Sequence, residues 1–161
     1  VNFERYVLAG YFTDILQNAN LRLEEMTGSR YTLHRRSEKE KGNRSSGLAL
    51  EVFDAYTGKS RHVNTLSGGE SFQISLALAL GLADIVSETS GGIELNTMFI
   101  DEGFGSLDPN ALETAIECLQ RLKQTGRYIG IISHVTELKE KIPAKIHVVE
   151  EPQGSRVEIQ V

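Results

Sequence analysis

An apolar segment at residues 74–86 places the strongest constraint on how this chain can fold. It belongs to a longer stretch, from about Glu70 to Glu88, whose apolar positions cover nearly every face of a helix. That pattern is typical of a helix buried between layers. A bilayer span needs about 20 apolar residues, and Ser75 and Asp84 also interrupt this segment. We therefore expect a core helix and no membrane span.

The segments after this helix alternate between strand and helix patterns. Their order is strand, helix, strand, helix, over residues 98–100, 109–123, 128–132 and 135–141. Two further strands, 146–149 and 156–161, flank a turn at the end of the chain. Such alternation predicts the α/β class, with a layered, mostly parallel sheet and flanking helices.

The first third of the chain has a different pattern. Apolar residues recur at helical spacing over residues 2–26, and Gly28 follows as a stop signal. Residues 31–35 and 48–56 have strand-like composition, and the polar segment 37–47 between them predicts a hairpin with an exposed loop. The length of 161 residues and the hydrophobic content of 40% predict one globular domain.

Charge and cysteine content exclude several classes of protein. The net charge of -5 argues against the basic surface of a dedicated nucleic-acid-binding protein. Cys118 is the only cysteine, so neither a disulfide framework nor a Cys-based zinc site can form. A reducing, cytoplasmic setting is expected. The chain opens on Val1 rather than methionine and lacks a signal-like segment, so we interpret it as a piece of a longer protein.

The sequence Leu66-Ser67-Gly68-Gly69-Glu70 directly precedes the predicted core helix. Two consecutive glycines let the backbone approach a ligand closely, and the N–H groups at a helix N-terminus favour a phosphate. Ser67 adds a hydroxyl donor. Taken alone, the same residues are also explained as a turn and a helix cap, so their meaning depends on the accompanying motifs.

Two adjacent carboxylates, Asp101 and Glu102, follow the apolar strand at residues 98–100. Open α/β sheets hold ligands at the carboxyl ends of their strands. Asp101 would hold Mg²⁺ together with phosphate oxygens and water, and Glu102 would orient or deprotonate an attacking water. A solvated loop with two acids is the alternative interpretation.

Asp108 and His134 complete the set of candidate polar residues. Asp108 precedes Pro109 at the start of a predicted helix, so capping alone could explain it. The strand at 128–132 is followed by Ser133 and His134, which brings an imidazole to the same sheet edge as the two acids. This register favours a contact between His134 and a terminal phosphate.

The chain lacks a phosphate-binding P-loop. That motif requires Gly-x-x-x-x-Gly-Lys-Ser/Thr, and Gly58-Lys59-Ser60 has Phe53 where the first glycine should stand. Residues 56–59 are better explained as a hairpin turn. Because the acids are present without a nucleotide cradle, we expect another polypeptide to complete the site.

Taken together, these motifs resemble those of ABC-type ATPase heads, and of SbcC-like DNA-repair ATPases in particular. Residues 66–70 resemble the ABC signature, 98–102 the Walker B strand, 106–108 the D-loop, and His134 the switch histidine. The motif-bearing resemblance covers about residues 64–161, and residues 2–27 resemble the stub at which a long coiled coil re-enters the head. It identifies residues 1–161 as the C-terminal half of such a head, with ATP and Mg²⁺ as cofactors.

The resemblance also implies roles and partners. Asp101, Glu102 and His134 would act on nucleotide bound to their own head. In a dimer of two identical heads, Ser67 and Gly69 would touch the γ-phosphate bound to the opposite head, and Asp108 would work across the dimer. Gly68 and Glu70 are implied as further nucleotide-binding residues. The implied partners are the N-terminal half of the head with its Walker A motif and Q-loop, a second head, an SbcD-like nuclease, and DNA. ATP hydrolysis would regulate DNA-end processing in double-strand break repair.

Two alternatives remain open from the sequence. One is another ATPase of the same superfamily, such as an SMC protein, RecN or a transporter nucleotide domain, although the Glu70-Ser71-Phe72 continuation and the first helix argue against it. The other is a non-hydrolysing scaffold of ABC shape, which would not require Asp101, Glu102 and His134.

Overall fold

A computed structural model describes residues 3–36, 49–89, 95–124 and 126–161. The helices are α1 (Phe3–Thr27), α2 (Gly68–Thr89), α3 (Pro109–Gln124) and α4 (Thr136–Lys141), with 3-10 turns at Val63–Thr65 and Phe104–Ser106. The strands are β1 (Tyr31–Arg35), β2 (Leu50–Asp54), β3 (Lys59–His62), β4 (Thr97–Asp101), β5 (Tyr128–Ile132), β6 (Lys145–Glu151) and β7 (Gly154–Gln160). The exposed loop predicted at residues 37–47 lies outside the described ranges.

The predicted core helix is α2, which packs along α1 in the centre of the molecule. The two helices approach closely at Gly81, where an added Cβ would lie 2.7 Å from both the Ala19 nitrogen and the Ile15 carbonyl oxygen. Asp84, the charge that interrupts the apolar stretch, forms ion pairs with Arg22 of α1 and with Arg127. The helix is therefore buried with the carboxylate of Asp84 neutralised.

Length and composition alone would allow α2 to cross a membrane, and among the described helices it is the one that meets this test. Its 18-residue apolar window is 44% buried within the protein. Leu76, Ala77 and Leu80 are part of the core that α2 shares with α1 and α3. The apolar character of α2 is thus explained by its place in the core, as the sequence predicts.

Three strands form an antiparallel sheet in the order β1-β2-β3 beside the end of α1. The predicted strand at 48–56 is shorter among the described residues, Leu50–Asp54, because the chain turns at residues 55–58. Gly58 adopts a left-handed φ of 65° in this turn, and β3 begins at Lys59. Sequence reasoning identified the turn but not β3, whose residues are all polar or charged.

The other strands form two separate pairs. β4 and β5 are parallel, with Asp101 opposite Ile132 at the carboxyl end of the pair. β6 and β7 form an antiparallel ribbon. The α/β layered class is confirmed, but the expectation of a mostly parallel sheet is wrong for the described strands, among which parallel pairing is confined to β4 and β5. Short turns join β2 to β3 and β6 to β7, and such turns impose antiparallel pairing. The parallel pair positions the first group of candidate site residues.

Candidate functional site

Asp101 and Glu102 lie where the parallel pair ends. The Glu102 N–H donates to the Ile132 carbonyl oxygen at 2.9 Å, which extends the ladder one residue past β4. The Asp101 side chain is exposed and has no hydrogen-bond or ion-pair partner among the described residues. Its carboxylate is thus available to a ligand at this sheet edge.

Glu102 and His134 form a pair, which we call the acid–imidazole pair. Glu102 Oε2 lies 3.0 Å from His134 Nδ1, although the two residues come from loops after different strands. The side chains remain 50% and 80% exposed, respectively, so both can reach a bound molecule. The structure therefore joins the strand-end acid and the histidine that the sequence placed at one sheet edge.

The backbone at Glu102 is strained. Its φ of 58° lies in the left-handed region, which costs a side-chain-bearing residue about 1–3 kcal/mol. Gly103 follows with a φ of 95°, and an added Cβ there would lie 2.3 Å from the Phe72 ring of α2. Phe72 also packs edge-on against Phe104, with ring centroids 4.8 Å apart. This packing fixes the turn and directs Glu102 outward.

A second group of residues surrounds the start of α2, and we call residues 66–70 the Ser-Gly-Gly turn. Ser67 and Glu70 cap the helix reciprocally: the Glu70 N–H donates to Ser67 Oγ at 3.3 Å, and the Ser67 N–H donates to Glu70 Oε2 at 2.8 Å. This arrangement is a capping box. The capping role considered from the sequence is therefore present in the structure.

The Glu70 carboxylate also binds the antiparallel sheet. Its Oε1 accepts hydrogen bonds from Tyr31 Oη of β1 and, at 3.0 Å, from Arg61 Nη2 of β3. Partial burial raises the pKa of Glu70, but the hydrogen bonds from Tyr31, Ser67 and Arg61 outweigh it and lower that pKa to about 2. Burial and the bond to Glu70 raise the pKa of Tyr31 to about 12, so its hydroxyl stays a donor near neutral pH.

Gly69 allows this turn to pack closely on the loop after β4. An added Cβ on Gly69 would lie 2.8 Å from the Ser106 carbonyl oxygen, whereas one on Gly68 would make an ordinary 3.5 Å contact with Ser106 Cβ. Nearby, Asp108 Oδ1 accepts the N–H groups of Asn110 and Ala111, each at 3.0 Å, and caps α3. The starts of α2 and α3 thus lie side by side.

A pocket of about 620 Å³ opens at this second group, a volume ordinary for ligand sites. Ser67, Gly69, Glu70 and Asp108 are among its lining residues, and Arg30 and Tyr31 contribute to its wall. Its lining does not include Asp101, Glu102 or His134. The candidate residues therefore fall into two groups on one head rather than a single site.

The sequence did not identify Tyr31 and Arg61 as residues that support the candidate site. Both belong to the part of the chain that carried the weakest motif signal, and their importance arises from pairing across the sheet, which brings them to Glu70. An arginine shortly before the Ser-Gly-Gly start of an apolar helix could have suggested a partner for Glu70. Nothing in the local pattern pointed to Tyr31.

Comparison with solved structures defines the fold. The fold resembles an SMC ATPase studied for ATP-driven dimerization and DNA-stimulated activation, with a TM-score of 0.76 at 15% identity, over 98% of this chain and 89% of that one. It also resembles an Smc head bound to the C-winged helix domain of ScpA, with a TM-score of 0.72 at 16% identity, over 96% of this chain and 45% of that one. The chain has the fold of the C-terminal lobe of an ABC-type ATPase head.

Sequence relatives define the family. Residues 27–121 match the family described as SbcC/RAD50-like, Walker B motif, and the chain belongs to that family. It is 56% identical over 155 residues to the SbcC subunit of nuclease SbcCD from Staphylococcus saprophyticus and 54% identical over 159 residues to that from Vibrio cholerae. These alignments cover 96% and 99% of this chain but only 15% and 16% of the relatives, so the chain spans a small part of their length. The resemblance to SbcC is confirmed.

Proposed function

We propose that residues 1–161 form the C-terminal half of an SbcC-like ATPase head that hydrolyses ATP at the interface of two heads. The observation that carries this proposal is the acid–imidazole pair, held at 3.0 Å at the end of a parallel strand pair. The similarity to SbcC of nuclease SbcCD supports the same activity. Residues 2–27 would be the coiled-coil stub, and residues 64–161 the motif-bearing lobe.

In this proposal, Glu102 orients the attacking water and accepts its proton, and His134 contacts the γ-phosphate. Their exposure leaves both side chains accessible, and their mutual contact keeps Glu102 aimed at one position. Asp101 would hold Mg²⁺, whose charge stabilises phosphate oxygens when bound. The described residues contain no group of three or more His, Cys, Asp or Glu suited to a metal. A single carboxylate with phosphate oxygens and water fits Mg²⁺, since this ion is bound in that way at many ATPase sites.

Ser67 and Gly69 would contact the γ-phosphate of nucleotide on the opposite head, and Asp108 would act across the same interface. The pocket next to them is open, and the N–H groups at the start of α2 favour an anion there. Two separate groups on one head are what a shared, two-headed site requires, because each nucleotide would be flanked by different groups of two heads.

An N-terminal half would supply the Walker A motif and the Q-loop. Gly58-Lys59-Ser60 cannot take that role, because Gly58 lies in a turn and Lys59 begins β3 rather than a helix. The parallel pair also exposes large apolar side chains, with Phe99 73% and Tyr128 74% exposed. An exposed apolar face of this kind favours a protein partner. We propose that the N-terminal half covers it.

The wider role proposed for the complete protein is control of an SbcD-like nuclease at DNA ends during double-strand break repair, in the bacterial cytoplasm. ATP-driven engagement of two heads would regulate access of the nuclease to DNA. The net charge of -5 is compatible with this role if the DNA contact is shared with other segments of the protein.

The test is ATP hydrolysis by this chain alone and after addition of the N-terminal segment of the same protein. We expect no turnover alone and turnover after mixing that is lost in Glu102→Gln. Turnover by the chain alone would contradict the requirement for a second segment. A folded complex that does not hydrolyse ATP would instead favour the non-hydrolysing scaffold.

A further inference from the structure

Both oxygens of the Glu70 carboxylate accept hydrogen bonds from within the chain. Its Oε1 accepts hydrogen bonds from Tyr31 and Arg61, and its Oε2 accepts the Ser67 N–H. A carboxylate facing a phosphate would repel it, but here the guanidinium of Arg61 neutralises the charge. Glu70 is thus arranged to act on the turn beside it rather than on the nucleotide itself.

The arrangement determines what Ser67 can offer a ligand. Its Oγ already accepts the Glu70 N–H at 3.3 Å, so its hydroxyl hydrogen remains free to be donated. Ser67 is exposed at the mouth of the pocket. If Glu70 moved, the Ser67 N–H would lose its acceptor and the turn would lose the bond that fixes its conformation.

Arg61 holds the turn from a second side. Its guanidinium lies 3.4 Å from the Thr65 carbonyl oxygen, two residues before Ser67, and 3.8 Å from the buried carboxylate of Asp54. Tyr31 is itself buried in the core. The Ser-Gly-Gly turn is therefore held to β1 and β3 through Glu70, and Thr65, the residue directly before the turn, is held to β3 through Arg61.

We propose that Tyr31 and Arg61 are positioning residues that act through Glu70 to hold Ser67 in the conformation that receives the γ-phosphate of the opposite head. This inference rests on the proposed function, since it concerns the same interface. It assigns to the antiparallel sheet a part in head engagement, and it leaves the acid–imidazole pair unaffected.

The test uses the complete head, formed by this chain and the N-terminal segment, with Tyr31→Phe and Arg61→Gln. Tyr11→Phe is the matched control, because the Tyr11 hydroxyl is exposed on α1 and has no hydrogen bond to a described residue. In a Glu102→Gln background that stalls hydrolysis, the head concentration for half-maximal ATP-dependent dimerisation is measured by analytical ultracentrifugation. In heads that retain Glu102, ATP turnover is measured at a saturating concentration of heads.

We expect Tyr31→Phe to raise the half-maximal concentration about tenfold, since one hydrogen bond to a charged group is lost. Arg61→Gln should raise it further, Arg61→Lys should partly restore it, and Tyr11→Phe should not change it. Turnover at saturation should stay within about twofold of the unsubstituted head in Tyr31→Phe, because Glu102 and His134 are unchanged.

Unchanged dimerisation of both variants, with normal dimerisation of the unsubstituted head, would overturn this inference and leave the proposed function intact. A failure of the unsubstituted head to dimerise with ATP would overturn both. If Tyr31→Phe lowered turnover at saturating head concentration as much as it weakened dimerisation, a positioning role would be contradicted. Thermal unfolding of each complex shows whether a variant is misfolded. A Tyr31→Phe complex that dimerises normally but has a lowered melting temperature would also overturn the inference, because Tyr31 would then serve stability alone.

Discussion

The acid–imidazole pair and the Ser-Gly-Gly turn differ in how the fold holds them. Glu102 and His134 are exposed and touch each other, and the strained backbone at the end of β4 directs Glu102. The turn is instead tied by Glu70 into a network with buried Tyr31 and half-buried Arg61. One group is exposed, and the other is anchored to a neighbouring sheet.

This difference teaches that substitutions in the two groups should have different consequences. An exposed side chain with one partner contributes little to stability, so its loss affects chiefly the reaction. The Glu70 carboxylate accepts three hydrogen bonds, so its loss should affect both the stability of its surroundings and the shape of the turn. Substitutions and changes of pH would test that contrast, and the largest expected effect comes first.

Glu102→Gln should lower ATP turnover of the complete head by about 10²–10⁴-fold, because it removes the proposed proton acceptor. The free energy of unfolding should change by less than about 0.5 kcal/mol, because the side chain is half exposed. Steady-state hydrolysis and urea unfolding measure the two quantities, with exposed Glu140→Gln of α4 as control. Near-normal turnover would assign the proton acceptor to another residue.

Gly69→Ala should destabilise the head by about 1–3 kcal/mol, because the added Cβ would overlap the Ser106 carbonyl oxygen at 2.8 Å. Gly68→Ala is the matched control and should cost less than about 1 kcal/mol, since its Cβ would make an ordinary contact. Urea unfolding of both variants compares them. Equal costs would mean that the turn does not pack on Ser106 as described.

Glu70 should make stability depend on acidity. Its pKa of about 2 in the folded state lies below the ordinary value of 4.5, so its contribution is complete above pH 4.5 and is lost as pH falls towards 2. Between pH 6 and pH 3, we expect a loss of about 1–2 kcal/mol from this residue after allowance for solvent screening. Urea unfolding of the unsubstituted head and Glu70→Gln at both values measures the difference. Identical pH dependence of the two proteins would contradict the network.

Asp108→Ala should destabilise α3 by about 1 kcal/mol, because the Asn110 and Ala111 N–H groups lose their shared acceptor. Asp108→Asn should retain most of that stability, since an amide oxygen also caps helices well. Urea unfolding separates the capping contribution, and ATP-dependent dimerisation of the stable Asn variant tests the proposed action across the dimer. No stability loss in Asp108→Ala would exclude the cap.

Much of the fold could be predicted because its signals are local. Short stretches of sequence are enough to recognise the apolar helix α2 and the strand before Asp101. The same holds for the helix end marked by Gly28 and the helix start marked by Pro109. β3 was missed because Lys59–His62 contains no apolar residue, and its strand conformation is imposed by pairing with β2.

The candidate site divides in the same way. The placement of Glu102 and His134 at one edge follows from parallel register, which alternating strands and helices already predict. The anchoring of Glu70 does not follow, because Tyr31 lies 39 residues away in sequence and meets it only through tertiary packing. The positions of the local motifs were accessible from the sequence, whereas the hydrogen-bond network around Glu70 required the structure.

The proposed action of the two groups on opposite heads is tested most directly by mixing two inactive heads, one carrying Glu102→Gln and the other Ser67→Arg, at saturating ATP. If each nucleotide is served by Glu102 of its own head and Ser67 of the opposite head, a mixed dimer retains one intact site. With random pairing, the mixture should then regain up to about one quarter of the unsubstituted turnover, while each variant alone stays inactive. No recovery, with mixed dimers demonstrated by differential labelling, would contradict the division of the two groups between opposite heads.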